Sequence, residues 1–307
     1  MAITASQVKE LREMTGAGMM DCKKALTATE GDMDQAVEWL RENGLAKAAK
    51  KSGRIAAEGI VAVDVDEDGK VASIVEVNSE TDFVAKNEKF QAYVAEVAAQ
   101  AKNSSAASME EFMAEKWAAE DAGSVEEKLK AMIAVIGENM NIRRFERFEG
   151  INQAYIHAGG RIGVLVNFEV ADASKANDDA FRAMAKDVAM QIAAVSPQYV
   201  REDEVPADVV EHEKEILKIQ ALNEGKPEAI VEKMVLGRIK KFFKDVCLLD
   251  QPFVKDQDIS VAKYIANVAK ELGTDINVIK FARLEKGEGL EKKEENFADE
   301  VAKMMGK

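Results

Sequence analysis

The sequence predicts an α+β protein: a three-helix unit at the front, a duplicated βα core with antiparallel sheets, a helical hairpin inserted into the second copy, and a C-terminal helix. Three observations carry this prediction. Apolar residues recur at helical spacing through the first 43 positions. Two long stretches then repeat at a fixed distance. A third set of residues repeats at a longer distance, and the excess falls in a stretch with its own helical pattern.

In chain order, residues 4–43 read as the three-helix unit. Thr4 and Gln7 form a capping box, and Val8 and Leu11 supply a buried stripe. Thr15-Gly16-Ala17-Gly18 breaks this helix. A second carries Cys22, Ala25 and Leu26; a third starts at Asp32, with Gln35 three residues on, and carries Val37, Trp39 and Leu40. Gly16-Ala17-Gly18 does not read as a phosphate loop, because it follows a helix and Asp21 stands where the motif needs its third glycine. Met19 and Met20 at the turn suit either core filling or an adaptable contact surface. Lys47, Lys50, Lys51 and Arg54 surround Ser52-Gly53 and read as a solvated linker, with docking on an acidic partner as the alternative.

The core repeat follows. Glu58-Gly59 matches Glu149-Gly150, Gly69-Lys70-Val71 matches Gly160-Arg161-Ile162, and Ile74-Val75 matches Leu165-Val166. Phe90, Val97 and Gln100 match Phe181, Val188 and Gln191. Every pair is 91 residues apart (59 to 150, 90 to 181). Each copy reads as a β-hairpin followed by a helix. Gly137, Asn141, Phe145 and Glu149 match Gly273, Asn277, Phe281 and Glu285 at a spacing of 136, so the strand over 142–148 has a twin over 278–284. The second copy is therefore longer by 45 residues. In that insert Val209, Ile216 and Ile219 share one helical face, residues 223–227 make a turn, and Ile230, Met234 and Lys241 return along a second face. An antiparallel hairpin with Pro227 at the start of its return arm is expected, reaching about 25 Å. Phe297, Val301 and Met304 then mark the terminal helix.

The candidate site lies in the first copy. The strand over 71–77 gives way to a helix carrying Phe90, Val94 and Val97, and residues 81–87 connect them. Asn78, Ser79, Thr81 and Asp82 are ordinary turn residues; Phe83 is not. It either folds back as a lid on its own core or is offered to a partner as an apolar plug beside the Asp82 carboxylate. The repeat favours the plug: Asp82 and Phe83 correspond to Ala173 and Ser174, so the second copy keeps the scaffold without the ring.

Several function classes fit poorly. A net charge of −14 argues against nucleic acid as the main partner. Cys22 and Cys247 are too few for a disulfide framework or a metal site. No run of 18 apolar residues suggests a membrane span, and the first residues do not resemble a secretory signal. His157 and His212 match no nucleophile or zinc signature, so an enzyme is not expected. The competing class is a plain binding adaptor, using the three-helix unit to capture a partner.

The motifs LREMTGAGMMDCKKAL at 11–26, ETDFVAKN at 80–87, NIRRFE at 141–146, HAGGRIGVLV at 157–166, EKMVLGRIKKF at 232–242, QPFV at 251–254 and GEGLEKK at 287–293 together resemble the bacterial translation elongation factor Ts family. The resemblance covers the whole chain. It implies a cytoplasmic guanine-nucleotide exchange factor that binds elongation factor Tu·GDP, acts by protein binding, and needs no cofactor or metal of its own. Thr81, Asp82, Phe83 and Val84 match the segment implicated in dislodging Mg²⁺. Arg12, Met19 and Met20 match contact positions on the GTPase domain, and the surface around His157 matches one that grips another domain of the partner. The resemblance also makes the front unit ubiquitin-associated-domain-like (UBA-like) and the insert a coiled coil. The expected division is 1–54, the front unit with its linker; 55–148, the first core half; 149–196 with 249–286, the second half; 197–248, the hairpin; and 287–307, the C-terminal module. The residues do not fix the oligomeric state, so a homodimer and a heterotetramer with elongation factor Tu both stay open.

Overall fold

The computed structural model describes residues 3–119 and 123–291. The expected terminal helix with Phe297, Val301 and Met304 lies outside the described residues.

The front three helices are α1 (Ala5–Thr15), α2 (Met19–Ala28) and α3 (Met33–Lys51). Thr4 caps α1 in a reciprocal box with Gln7, and Gly16 ends it in the left-handed conformation at φ 67°. Asp32 caps α3 by accepting from the Gln35 N–H. Leu11, Cys22, Ala25, Leu26 and Ala36 form the buried centre, with Val37, Trp39 and Leu40 packed around it. One expectation is corrected here. Lys47, Lys50 and Lys51 are not part of a linker, because α3 runs on through Lys51, and only residues 52–57 connect it to the next strand. The cations are used locally: Lys47 pairs with Asp21 at 2.7 Å and Lys51 Nζ donates to the Gly137 carbonyl at 2.6 Å. A cation on the last free carbonyl of another helix satisfies an orphan acceptor.

The first core copy comprises β1 (Glu58–Val65), β2 (Val71–Ser79), α4 (Asp82–Ala85), α5 (Glu88–Asn103), α6 (Met109–Ala114), α7 (Val125–Ile136) and β3 (Met140–Glu149). The second comprises β4 (Ile151–His157), β5 (Ile162–Val170), α8 (Asp179–Val195), then α9 (Ala207–Asn223) and α10 (Glu228–Val246), and finally β6 (Pro252–Phe253), β7 (Asp256–Ser260), α11 (Val261–Leu272) and β8 (Ile276–Glu285). Each copy builds one antiparallel three-stranded sheet, β1-β2-β3 and β4-β5-β8. The register shift also repeats, falling at Glu76/Val77 in one sheet and at Asn167/Phe168 in the other. Gln100 and Gln191 repeat their work as well: each buried amide takes a backbone N–H, from Ala118 and Val254, and gives a hydrogen to a nearby carbonyl, Lys116 or Pro252.

The period-2 alternation of the strands sorts the layers. Val75 and Val77 of β2 face the helical core of α5 and α7, while Val164, Val166 and Phe168 of β5 face α8 and α11. Between the sheets lie Val61, Ala72, Ile74, Phe148, Leu165, Ala282 and Leu284. The two halves therefore pack sheet to sheet with helices outside. At Gly163 an added Cβ would lie 2.4 Å from Val61 Cγ1, so only glycine lets the sheets approach this closely there.

The insert is an antiparallel pair, α9 and α10, with Pro227 capping the return arm as expected. Its seam differs from the face expected. Leu217, Ala221, Val231, Val235 and Ile239 make the buried contact, whereas Ile216, Ile219 and Ile230 stay exposed. Both arms carry apolar residues on more than one face, and the position of the opposite arm selects which is buried.

Candidate partner-binding site

The segment expected to be a loop is a single helical turn, α4. Thr81 caps it, its side chain accepting from the Val84 N–H at 3.4 Å. Asn87 then caps α5 by accepting from the N–H groups of Lys89 and Phe90. The two caps leave no freedom for a long connection. Val84 and Ala85 turn inward beneath the sheet, and Phe83 turns out with 79% of its surface exposed. The lid alternative fails, since the core beneath α4 is closed by Val84 with Phe90 and Tyr93.

The turn is tethered at its start. Glu138, one residue past the glycine that ends α7, accepts from the Thr81 N–H at 2.9 Å and from its hydroxyl at 2.7 Å. In the reverse direction Glu80 accepts from the Asn139 N–H at 2.6 Å and from Arg54 at 3.4 Å. The Asn139 amide in turn donates to the Arg54 carbonyl at 2.8 Å. Three distant chain segments thus meet at the foot of the Phe83 turn. Asp82 pairs with Lys86 at 2.6 Å, and this hydrogen bond is the main reason its carboxyl stays below the usual carboxylate range. The same ammonium lies 5.9 Å from the Phe83 ring centroid, at the edge of cation–π range.

The α1–α2 turn comes to the same region. At Gly16 an added Cβ would lie 3.4 Å from Lys89 Nζ, at the start of α5. Met19 and Met20 are 58% and 66% exposed, so they are not core filling, and Arg12 is exposed as well. His157 ends β4, exposed, with its Nδ1 3.0 Å from the Tyr155 hydroxyl and a left-handed Ala158 at φ 48° after it. Its ring contacts in the structure are to Tyr155, and it joins neither α4 nor the α1–α2 turn.

Sequence reasoning missed Glu138, Glu80, Asn139 and Lys86. A signal for Glu138 existed: it follows Gly137, and the residue after the matching Gly273 is Thr274, whose hydroxyl accepts from the Asp172 N–H at 2.9 Å. Both copies tie the strand exit to the same place. Among the described residues no group of three or more His, Cys, Asp and Glu side chains is arranged to hold a metal ion, and no helix is long and apolar enough to cross a membrane. Burial pushes the Cys22 thiol up and the Cys247 thiol up to about 12, which makes both poor nucleophiles.

Phe83 on its tethered turn and Met19 and Met20 on the neighbouring α1–α2 turn leave exposed apolar side chains on this side of the protein. Exposed apolar side chains grouped in this way mark a candidate surface for a protein partner. The comparisons narrow the class. The family described as Elongation factor TS matches residues 80–288, well over half of the chain. Elongation factor Ts of Clostridium perfringens is 58% identical over 308 positions, covering 99% of this chain and 100% of the relative. That of Clostridium botulinum is 56% identical over 308 positions, with the same coverage. That of Clostridium kluyveri is 54% identical over 306 positions, 99% of each chain. The chain belongs to the elongation factor Ts family, which acts with elongation factor Tu in translation elongation.

Proposed function

We propose that this protein is the guanine-nucleotide exchange factor for elongation factor Tu and that Phe83 is its working part. A GTPase that holds GDP and Mg²⁺ at nanomolar affinity stabilises the complex by about 12 kcal/mol, so unaided release is slow. An exchange factor binds the nucleotide-free state more tightly than the loaded one, and by linkage nucleotide later expels the factor. Phe83 enters an apolar crevice between two helices of the GTPase. The resulting shift spoils the coordination of Mg²⁺, an ion that tolerates little departure from octahedral geometry. Asp82, kept ionised by Lys86, either caps a helix of the GTPase or repels ligands on the phosphate side of that site. Arg12, Met19 and Met20 dock the three-helix unit on the same domain, and the surface around His157 grips a second one.

The observation that carries this reading is the exposure of Phe83 on a turn whose counterpart in the second copy holds Ser174. The remaining modules fit the same scheme: a UBA-like front unit over 1–54, a core of two halves over 55–148 and 149–196 with 249–286, a coiled-coil arm over 197–248, and a C-terminal module over 287–307. Translation takes place in the cytoplasm, which is where the protein would work.

The test is the release of fluorescent GDP from elongation factor Tu. The protein accelerates release, and Phe83→Ala combined with Asp82→Ala slows the accelerated rate roughly thirtyfold, the equivalent of about 2 kcal/mol at a central aromatic anchor. An unchanged rate in the double variant removes Phe83 from the mechanism.

A further inference from the structure

The foot of the Phe83 turn carries more organisation than a surface connection needs. Glu138 spends both carboxylate oxygens on one residue, taking the Thr81 N–H on Oε2 and the Thr81 hydroxyl on Oε1. Thr81 then uses that hydroxyl oxygen to cap the N-terminus of α4. The chain of contacts is continuous: Glu138 fixes Thr81, Thr81 fixes the α4 turn, and the α4 turn directs Phe83 outward. Glu138 itself is anchored, because the preceding Gly137 carbonyl receives Lys51 of α3 and the following Asn139 is bonded through both its backbone and its amide. In the second copy Thr274 makes one bond to the backbone at the equivalent place, and no aromatic residue follows. The bidentate acceptor accompanies the ring.

We propose that Glu138 is a positioning residue for nucleotide exchange: its carboxylate presets the pose of the turn that carries Phe83, so that the ring reaches its target without first paying the entropy of ordering. This rests on the reading of Phe83 given above. A side chain that only glued the surface together would change stability or affinity. A positioning side chain changes the rate of the step that Phe83 performs, because a displacement of about 1 Å in a working group costs up to about a hundredfold. Glu138 touches no nucleotide and acts through Thr81.

The experiment measures GDP release from elongation factor Tu as a function of factor concentration for the parent, Phe83→Ala, Glu138→Ala and Glu138→Gln, together with thermal melting of each. Glu138→Ala is expected to lower the plateau rate roughly tenfold while the half-saturating concentration moves less than about twofold. Glu138→Gln keeps one acceptor but turns an N–H₂ toward Thr81, and its plateau falls between the two. If Phe83→Ala is slow and Glu138→Ala keeps the parental plateau, the positioning role is overturned while the role proposed for Phe83 survives. If both keep the parental plateau, the role proposed for Phe83 fails and takes this inference with it. A rise in half-saturating concentration at constant plateau assigns Glu138 to the binding surface and also overturns the proposal. Should Glu138→Ala not fold, Glu138→Gln is judged by the same plateau criterion.

Discussion

The two halves of the core share a scaffold of equivalent strands and helices and differ at the turn that carries Phe83. β2 and β5 end in equivalent strands, Asn87 and Asp178 cap equivalent helices, and Gly137 and Gly273 end equivalent helices in the left-handed conformation. Past the strand exit the halves part. The first copy makes one α-helical turn that exposes Phe83; the second makes a short 3₁₀ turn, Ala173–Asn177, held by Asp172 accepting from Ser174. A second difference lies between the sheets, at the shared bulge. Glu76 is wholly buried there and bonds Arg143, Arg144, Asn78 and the Gly287 N–H. Its counterpart Asn167 bonds the Glu149 carbonyl and Asn152. The lesson is that a duplicated fold tolerates two unlike solutions at one position, provided that the buried side chain placed there keeps its hydrogen-bond partners.

The largest expected effect comes from removing the charged solution. Glu76→Leu removes the buried carboxylate shared by Arg143 and Arg144, leaving them only their contacts to Glu285 and Glu288, and should cost about 3 kcal/mol in a urea melt, against about 1–2 kcal/mol for Asn167→Leu. Equal costs would break the contrast. The sign with pH follows from the native carboxyl. Burial pushes its pKa up, but hydrogen bonds from Asn78, the Gly287 N–H and Arg144 outweigh this and bring it below the usual value. A depressed native pKa gives stability that is full above the unfolded value, about 4.3, and drains away as pH falls through the native one. The cost of Glu76→Leu should therefore shrink in acid.

A smaller effect sharpens the comparison at the hairpin turns. Gly69 and Gly160 are equivalent and both left-handed, at φ 70° and 93°. An added Cβ meets nothing at Gly69, but at Gly160 it would lie 3.0 Å from the Val61 carbonyl and from Ile60 Cβ in β1. Alanine at Gly69 should cost about 1 kcal/mol from backbone strain alone; alanine at Gly160 should cost about 1 kcal/mol more, because β1 must shift. The smallest effect is expected from Ser174→Phe. It restores the aromatic residue to the second copy on an exposed 3₁₀ turn, so stability should change by less than about 0.5 kcal/mol. Exchange by a Phe83→Ala protein should not recover; recovery would mean that the scaffold position alone suffices.

Much of this architecture was legible in the residues because it is written in local or periodic signals. The Thr4–Gln7 box, the Asp32 cap and both repeat spacings each appear in the structure as caps or equivalent elements. The helical hairpin was legible as a hairpin, yet its seam was not. Ile216, Ile219 and Ile230 are as apolar as Leu217, Val231 and Val235, and only the facing arm decides which row is covered. Lys47, Lys50 and Lys51 looked like part of a linker because the partners that hold their helix in place, Asp21 and the Gly137 carbonyl, are remote and invisible to a local pattern.

At the site the division is similar. The sequence by itself determined that a phenylalanine stands among turn residues at a strand exit, that its repeat partner is a serine, and that the chain carries the motifs of its family. The tertiary structure alone decided that the ring points out, that Glu76 points in, and that Glu138 reaches Thr81 across 57 residues of chain. The reason is physical. Caps and periodic stripes are set by neighbours within a few residues, whereas burial and hydrogen-bond partnership are properties of segments brought together only when the core closes.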